Sequence, residues 1–412
     1  MVKIQPVFAH NITTGDCMKV SSLLGRIAKS ETIRVKEKAL QLKAQGVEVL
    51  DLTAGEPDFP TPENICQAGI RAIEEGFTKY TAASGIPALK EAVARKLKEE
   101  NGLDYQSNQI IIAAGAKPAI ATALTVLLEP GQEVMIQAPY WVSYPEQIKL
   151  AGGNPVVVPT FDTNFKLTPE LLRQYATSNT VGLIFNSPAN PTGIVYTREE
   201  MAALAEAIQE LDLWVISDEI YEKLIFDGLS HYSMAAFPGM MERTIVINGV
   251  SKAYAMTGWR IGYAAGPTEV IQAMGKIQSH YATATSISQK AALEALNGDQ
   301  RAVETMRQKF EQRRNFMLDG LKNIPALKPV HPQGAFYVFV DVSAVLGKSV
   351  DGHSITTSLD FCNYLIETEH LVAVPGGGFG APNFIRLSFA NSDDTLQQAL
   401  AALKRGTERL MQ

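Results

Sequence analysis

One decapeptide carries more chemistry than any other part of this chain: Ser251-Lys252-Ala253-Tyr254-Ala255-Met256-Thr257-Gly258-Trp259-Arg260. It follows a short apolar run, Thr244-Ile245-Val246-Ile247-Asn248, that reads as a strand. A lysine fixed beyond a strand end can condense with an aldehyde. An arginine eight residues on can clamp a phosphate with its planar fork of donors. An aldehyde and a phosphate on one small molecule describe pyridoxal 5'-phosphate. A lone lysine is usually a solvated surface charge, so the case needs further residues.

Two more strings supply them. Ser187-Pro188-Ala189-Asn190-Pro191-Thr192-Gly193 places Asn190 62 residues before Lys252, and Ser217-Asp218-Glu219-Ile220-Tyr221 places Asp218 34 before it. Each follows an apolar run, Val181–Phe185 and Leu213–Ile216. Such runs are typical of buried strands in a parallel sheet, whose carboxyl ends gather ligand groups. Asn190, Asp218, Tyr221 and Lys252 should therefore converge at one edge.

On these motifs the chain resembles fold-type I, class I/II aminotransferases, within a bacterial aspartate aminotransferase subgroup. The likeness runs from about Ser21 to Gln412. It implies an α/β fold of the PLP-dependent transferase type. A large domain (61–298) would hold a mostly parallel central sheet flanked by helices, and a smaller discontinuous α+β domain would combine 18–60 with 299–412. Residues 1–17 would form a tail or an arm.

The resemblance also assigns roles. Lys252 would be the Schiff-base lysine and proton shuttle, which requires it neutral at working pH. Asp218 would keep the pyridine nitrogen protonated, so that the ring acts as an electron sink. Tyr221 and Asn190 would donate to the cofactor's phenolate oxygen. The phosphate would meet Arg260, Ser251 and the N–H groups of Gly115-Ala116-Lys117 at a helix start, together with Tyr80 from a neighbouring subunit. Trp141 would stack on the ring. Arg386, within Phe384-Ile385-Arg386-Leu387-Ser388, would take the substrate α-carboxylate, with Gly55 offering a backbone N–H. Lys117, where many members carry Ser or Thr, points to a distal carboxylate and hence to aspartate and glutamate, with prephenate as a further substrate. The segment Ala28-Lys29-Ser30-Glu31-Thr32, expected over the substrate side chain, matches that subgroup only in part.

Several readings compete: an aromatic, prephenate or alanine preference; a PLP lyase on the same scaffold; and a PLP-binding regulator without turnover. The regulator is disfavoured because no DNA-binding segment is visible before residue 20 or after residue 390.

The surrounding elements fit an α/β chain. Strands are expected at Val47–Leu52, Asn108–Ala113, Glu133–Gln137, Pro155–Val158, Val181–Phe185, Leu213–Ile216, Thr244–Ile247, 334–340, Leu371–Val374 and Phe384–Phe389. Helices are expected at 31–45 with Gly46 after it, from a Thr61 cap with Pro62 in the first turn, after Thr168-Pro169-Glu170, after the capping box Thr197–Glu200, and near 299–322 and 356–368. Pro375-Gly376-Gly377-Gly378-Phe379-Gly380 imitates a dinucleotide fingerprint. Pro382 and a strand follow it instead of a helix, so it reads as a flexible turn.

Of 412 residues, 46% are hydrophobic and 19% charged, with a net charge of −6. This suits a globular protein with a large core and no nucleic-acid partner. Cys17, Cys66 and Cys362 show no paired or metal-ligand spacing, and the six histidines form no zinc motif. Free thiols and no metal are therefore expected. There is no 18-residue apolar run and no secretory layout at the start, so no membrane partner and a cytoplasmic location are expected. The phosphate-reaching Tyr80 makes a homodimer with shared active sites the expected assembly.

Overall fold

The computed structural model describes residues 20–27 and 31–412. The expected tail or arm at 1–17, Cys17 and residues 28–30 of the segment expected over the substrate lie outside the described residues.

A seven-stranded sheet forms the centre. Its spatial order is Ile110–Ala113, Gly262–Ala265, Thr244–Gly249, Trp214–Asp218, Thr180–Asn186, Glu133–Ala138 and Asn154–Pro159. Gly262–Ala265 alone runs against the rest, pairing antiparallel with both neighbours. The period-two alternation of strands sends neighbouring residues to opposite faces. Ile110 and Ile112 pack with Leu89, Val93 and Leu97 of the helix Pro87–Asn101. Ile111 packs with Ile120 and Leu124 of the helix Ala116–Leu127. The strand is thus buried on both sides, which explains its unbroken apolar run.

A second sheet joins Val374–Pro375, Phe384–Ser388, Tyr337–Asp341 and Lys328–Pro329, all antiparallel. The helices Arg301–Leu321, Ser358–Glu369 and Asp393–Met411 cover it around Phe310, Phe336, Phe361 and Phe389. Leu52, Tyr221, Leu224 and Phe226 enter this same core. Leu50–Asp51 pairs in parallel with Leu371–Val372, which ties the early chain to the late chain.

Most expected elements are present, some shortened. Thr197 caps Arg198–Glu210 with a complete capping box, and Thr168 accepts from Leu171 N–H. Three expectations are corrected. First, Thr61 does not cap the helix Glu63–Glu74; Pro62 is the cap residue. The Thr61 hydroxyl instead donates to Ala255 O at 2.7 Å and accepts from Trp259 Nε1 at 3.0 Å. Second, Val47–Leu52 contracts to Leu50–Asp51. Third, Gly376–Phe379 is a turn of 3-10 helix held firmly in place. A Cβ on Gly376 would lie 2.2 Å from Ala381 O, and Tyr140 N–H donates to Phe379 O at 3.1 Å. It is a packed corner that fastens the Trp141 segment to the Arg386 strand.

Candidate active site

The Lys252 segment leaves the strand Thr244–Gly249 through tight turns, with Ala255 and Arg260 at φ of 50° and 58°. Left-handed backbone at a non-glycine residue is strained and persists only where its surroundings enforce it. Here the enforcement is mutual. Arg260 donates to Thr257 O (3.0 Å) and to Ala114 O (3.2 Å), lying against Gly115. Gly115 has φ 106°, and a Cβ on it would come within 2.4 Å of Arg260 Nη2. A Cβ on Gly262 would lie 2.5 Å from Ala116 N. Bare glycines therefore let the arginine and the antiparallel strand press against the N-terminus of Ala116–Leu127. The result is a cradle of N–H groups, helix dipole and guanidinium, which is anion-binding architecture. Ser251, on the same segment as Arg260, is buried.

Lys252 is half-buried, and its ammonium donates to Gly55 O. The Gly55 carbonyl, not its N–H, makes this contact. Nζ lies 5.9 Å from the Tyr221 ring centre and 5.8 Å from that of Phe336. Burial lowers the Lys252 pKa to about 8; the cations of Arg386 and Arg260 add to this, while Glu56 and Asp218 oppose it. Neutral amine then dominates above about pH 8. Amine-selective acylation of cofactor-free protein across pH, read by peptide mapping, should show Lys252 half-reactive near that value. A midpoint at the ordinary lysine value of about 10.4 would contradict this.

Asp218 ends the strand Trp214–Asp218 and is 4% exposed. Burial raises its carboxyl to about 6, against the stabilising donors Tyr144 Oη (2.7 Å) and Ile220 N–H (3.3 Å). Asn186 Nδ2 donates to Asp218 O at 2.8 Å, and Asn186 Oδ1 accepts from Asn190 N–H at 2.9 Å. Arg386 is buried at 6% and donates to Asn190 Oδ1 at 2.9 Å and Thr53 O at 3.2 Å. With its oxygen so engaged, the Asn190 amide has its NH2 left to donate. No carboxylate among the described residues pairs with Arg386, and its Nε is buried without a partner. Trp141 packs edge-on against Tyr144 at 5.3 Å, and the Lys117 ammonium sits 4.8 Å above the Trp141 ring. Burial and then Arg260 lower the Lys117 pKa.

The structure thus joins Gly55, Gly115, Ala116, Lys117, Trp141, Asn190, Asp218, Tyr221, Ser251, Lys252, Arg260 and Arg386 through contacts or shared segments. Tyr80 is the exception: it is fully exposed, at 102%. Sequence reasoning missed Tyr144, Asn186 and Tyr337. Tyr337 Oη lies 2.9 Å from Tyr221 Oη. Tyr144 lies about one helical turn after Trp141, and Asn186 closes an apolar strand. Both spacings are legible, but neither residue carries a distinctive motif.

Behind this site Glu219, Glu222 and His231 place ligand-type atoms within 4.8 Å of one another. Lys96 already pairs with Glu222, and Ser217, Ser233 and His231 all bond Glu219. The set is an ion network already paired within itself, with His231 Nδ1 left buried without a partner. A separate cavity of about 830 Å³, lined by Lys166, Glu170, Lys328 and His331 among others, contains none of the site residues. No helix among the described residues is long and apolar enough to cross a membrane.

A lysine with a depressed pKa, a buried carboxylate and an anion cradle at the strand ends of an α/β sheet suit a pyridoxal-phosphate enzyme. Comparison with known proteins makes this specific. The model for aminotransferase class I and II matches residues 47–403, and the chain belongs to that family. The aspartate aminotransferase of Geobacillus stearothermophilus is 48% identical over 398 residues, covering 95% of this chain and 99% of that one. The aspartate/prephenate aminotransferase of Cereibacter sphaeroides is 48% identical, covering 93% and 98%. The crystal structure of the Rhizobium meliloti aspartate aminotransferase superposes with a TM-score of 0.92 at 41% identity, covering 95% and 100%. The fold is that of the PLP-dependent transferases, and the chain is a PLP-dependent aminotransferase.

The residues present fit that cofactor. The Gly115 cradle, which a Cβ would fill, suits a phosphate, and a carboxylate at the end of a buried strand suits a protonated ring nitrogen.

Proposed function

We propose that the chain exchanges amino groups between L-aspartate and 2-oxoglutarate, with glutamate and oxaloacetate as the reverse pair, in a ping-pong cycle. The observation that carries the substrate assignment is a pair of separate cations: Arg386, buried and without a carboxylate partner, and Lys117, held over Trp141. Two cations at two places suit a dicarboxylic substrate, one for each end.

The bound cofactor supplies an aldehyde and an electron sink. Ser251, Arg260 and the Gly115–Lys117 amides would hold its phosphate, and Trp141 would cover its ring. Asp218, fixed by Tyr144, would hold the ring-nitrogen proton. Tyr221 and Asn190 would donate to the ring oxygen. Arg386 grips the α-carboxylate, which leaves the Cα–H to be drawn off by Lys252. The low Lys252 pKa makes the amine available as a base to take that proton and, once protonated, as an acid to give it back. The large unit spans 61–298 and the small one combines 18–60 with 299–412. Exposed Tyr80 fits a homodimer in which a second copy's tyrosine at this position completes the phosphate site. A cytoplasmic location is in keeping with three scattered cysteines at no paired spacing.

The test is kcat/KM for aspartate, alanine and phenylalanine, with prephenate as an additional acceptor because several relatives carry it in their names. Wild type should prefer aspartate. Lys117→Ala should lower kcat/KM for aspartate by about 10- to 150-fold, the worth of one charged hydrogen bond, and leave alanine nearly unchanged. Equal preference in both proteins would remove the dicarboxylate assignment.

A further inference from the structure

Tyr337 opens the strand Tyr337–Asp341 and is 1% exposed. Its hydroxyl meets that of Tyr221 at 2.9 Å. Its ring lies under the Arg386 guanidinium, with Cζ 4.2 Å from the ring centre. On the paired strand Arg386 stands opposite Phe339, so Tyr337 is its diagonal neighbour on the same face. The contact with Tyr221 is held by backbone. Phe226 N–H donates to Gln333 O and Ala335 N–H to Leu224 O, both at 2.9 Å. Gly334 fits only because it is bare, since a Cβ would lie 2.7 Å from Leu224 O. The segment before Tyr337 is thereby fastened to the turn that carries Tyr221.

Each hydroxyl has one proton, and the pair alone can bond in either direction. Its surroundings break the tie. Burial disfavours charge on both hydroxyls. Arg386 offsets this at both, but its guanidinium lies directly against the Tyr337 ring, and the Asp218 carboxylate adds to the penalty at Tyr221 alone. Tyr337 is then the donor and Tyr221 the acceptor, so the Tyr221 proton is left for another partner. Hydrogen bonds arranged in a chain strengthen one another.

We propose that Tyr337 is a positioning residue with two tasks: its hydroxyl donates to Tyr221 and turns the Tyr221 proton toward the cofactor's ring oxygen, and its ring seats Arg386 for the carboxylate. The first task rests on the role proposed above for Tyr221. Tyr337 thus links the group that sets the cofactor's acidity to the group that binds the substrate.

The experiment uses holoenzyme and titrates the visible absorption of the bound cofactor with pH. Tyr221→Phe should raise the midpoint, because a donor to the charged oxygen is lost. Tyr337→Phe should raise it by a smaller amount, about half a pH unit, since the lost bond acts through Tyr221. The Tyr221→Phe/Tyr337→Phe double variant should match Tyr221→Phe, as expected of residues acting in series. KM for aspartate should stay within about threefold in Tyr337→Phe, which keeps the ring, and rise roughly tenfold in Tyr337→Leu, which removes the platform under Arg386. An unmoved midpoint in Tyr337→Phe alongside a raised one in Tyr221→Phe overturns the proposal and leaves Tyr221 in its role. Unmoved midpoints in both remove the Tyr221 role and the proposal with it. An unchanged KM in Tyr337→Leu overturns the seating of Arg386.

Discussion

Lys252→Ala leaves a protein that still takes up pyridoxal phosphate but loses turnover by at least about 10⁴-fold. The phosphate cradle, the Asp218 carboxylate and the Trp141 face are all independent of the lysine, so non-covalent binding survives. Two things go together, the attachment point and the proton carrier. General acid–base catalysis alone is worth about 10²–10⁴-fold, and covalent catalysis adds to it. An added small amine should restore part of the rate, because a free base can occupy the space once held by the side chain. Steady-state rates with aspartate and 2-oxoglutarate, with and without the amine, check this. Turnover near the wild-type value would take Lys252 out of the chemistry.

Arg386→Lys tests geometry apart from charge. It keeps the positive charge but loses the planar fork, and with it one of two charged hydrogen bonds to the carboxylate. The expected cost is about 1.5–3 kcal/mol, or roughly 10- to 150-fold in kcat/KM, shared by the amino acid and the 2-oxo acid because both carry the same carboxylate. Arg386→Ala should cost more, since it also strips Asn190 Oδ1 of its donor at 2.9 Å and leaves Thr53 O without the guanidinium. Parallel kinetics on both substrates decide it. A loss confined to one substrate would show that Arg386 does not hold the group they have in common.

Much of this site is legible in the sequence. Lys252, Asp218 and Asn190 each stand just after an apolar run, and a strand buried on both faces announces itself by such a run. What escaped has physical reasons too. Gly262–Ala265 is short, opens with glycine and ends in two alanines, so its content argues against a strand. It forms because a bare residue lets its backbone lie against the helix N-terminus, where a Cβ would stand 2.5 Å from Ala116 N. Thr61 has the look of a cap, yet tertiary partners at Ala255 and Trp259 claim its hydroxyl. The Gly376–Gly380 segment looks flexible by composition, but its glycines are there for tight packing against Ala381 and Tyr140. The hydroxyls of Tyr144 and Tyr337 meet their partners across 74 and 116 residues of sequence. No local pattern encodes a partner at that distance.

All of these roles rest on one proposed bond, between the Lys252 side chain and the aldehyde carbon of the cofactor. Borohydride reduction of freshly purified holoenzyme, followed by proteolysis and mass mapping, tests it directly. The reduced cofactor should be found on the peptide that contains Lys252, in near-stoichiometric yield. A label on any other lysine, or none on protein that is visibly yellow, would contradict the account.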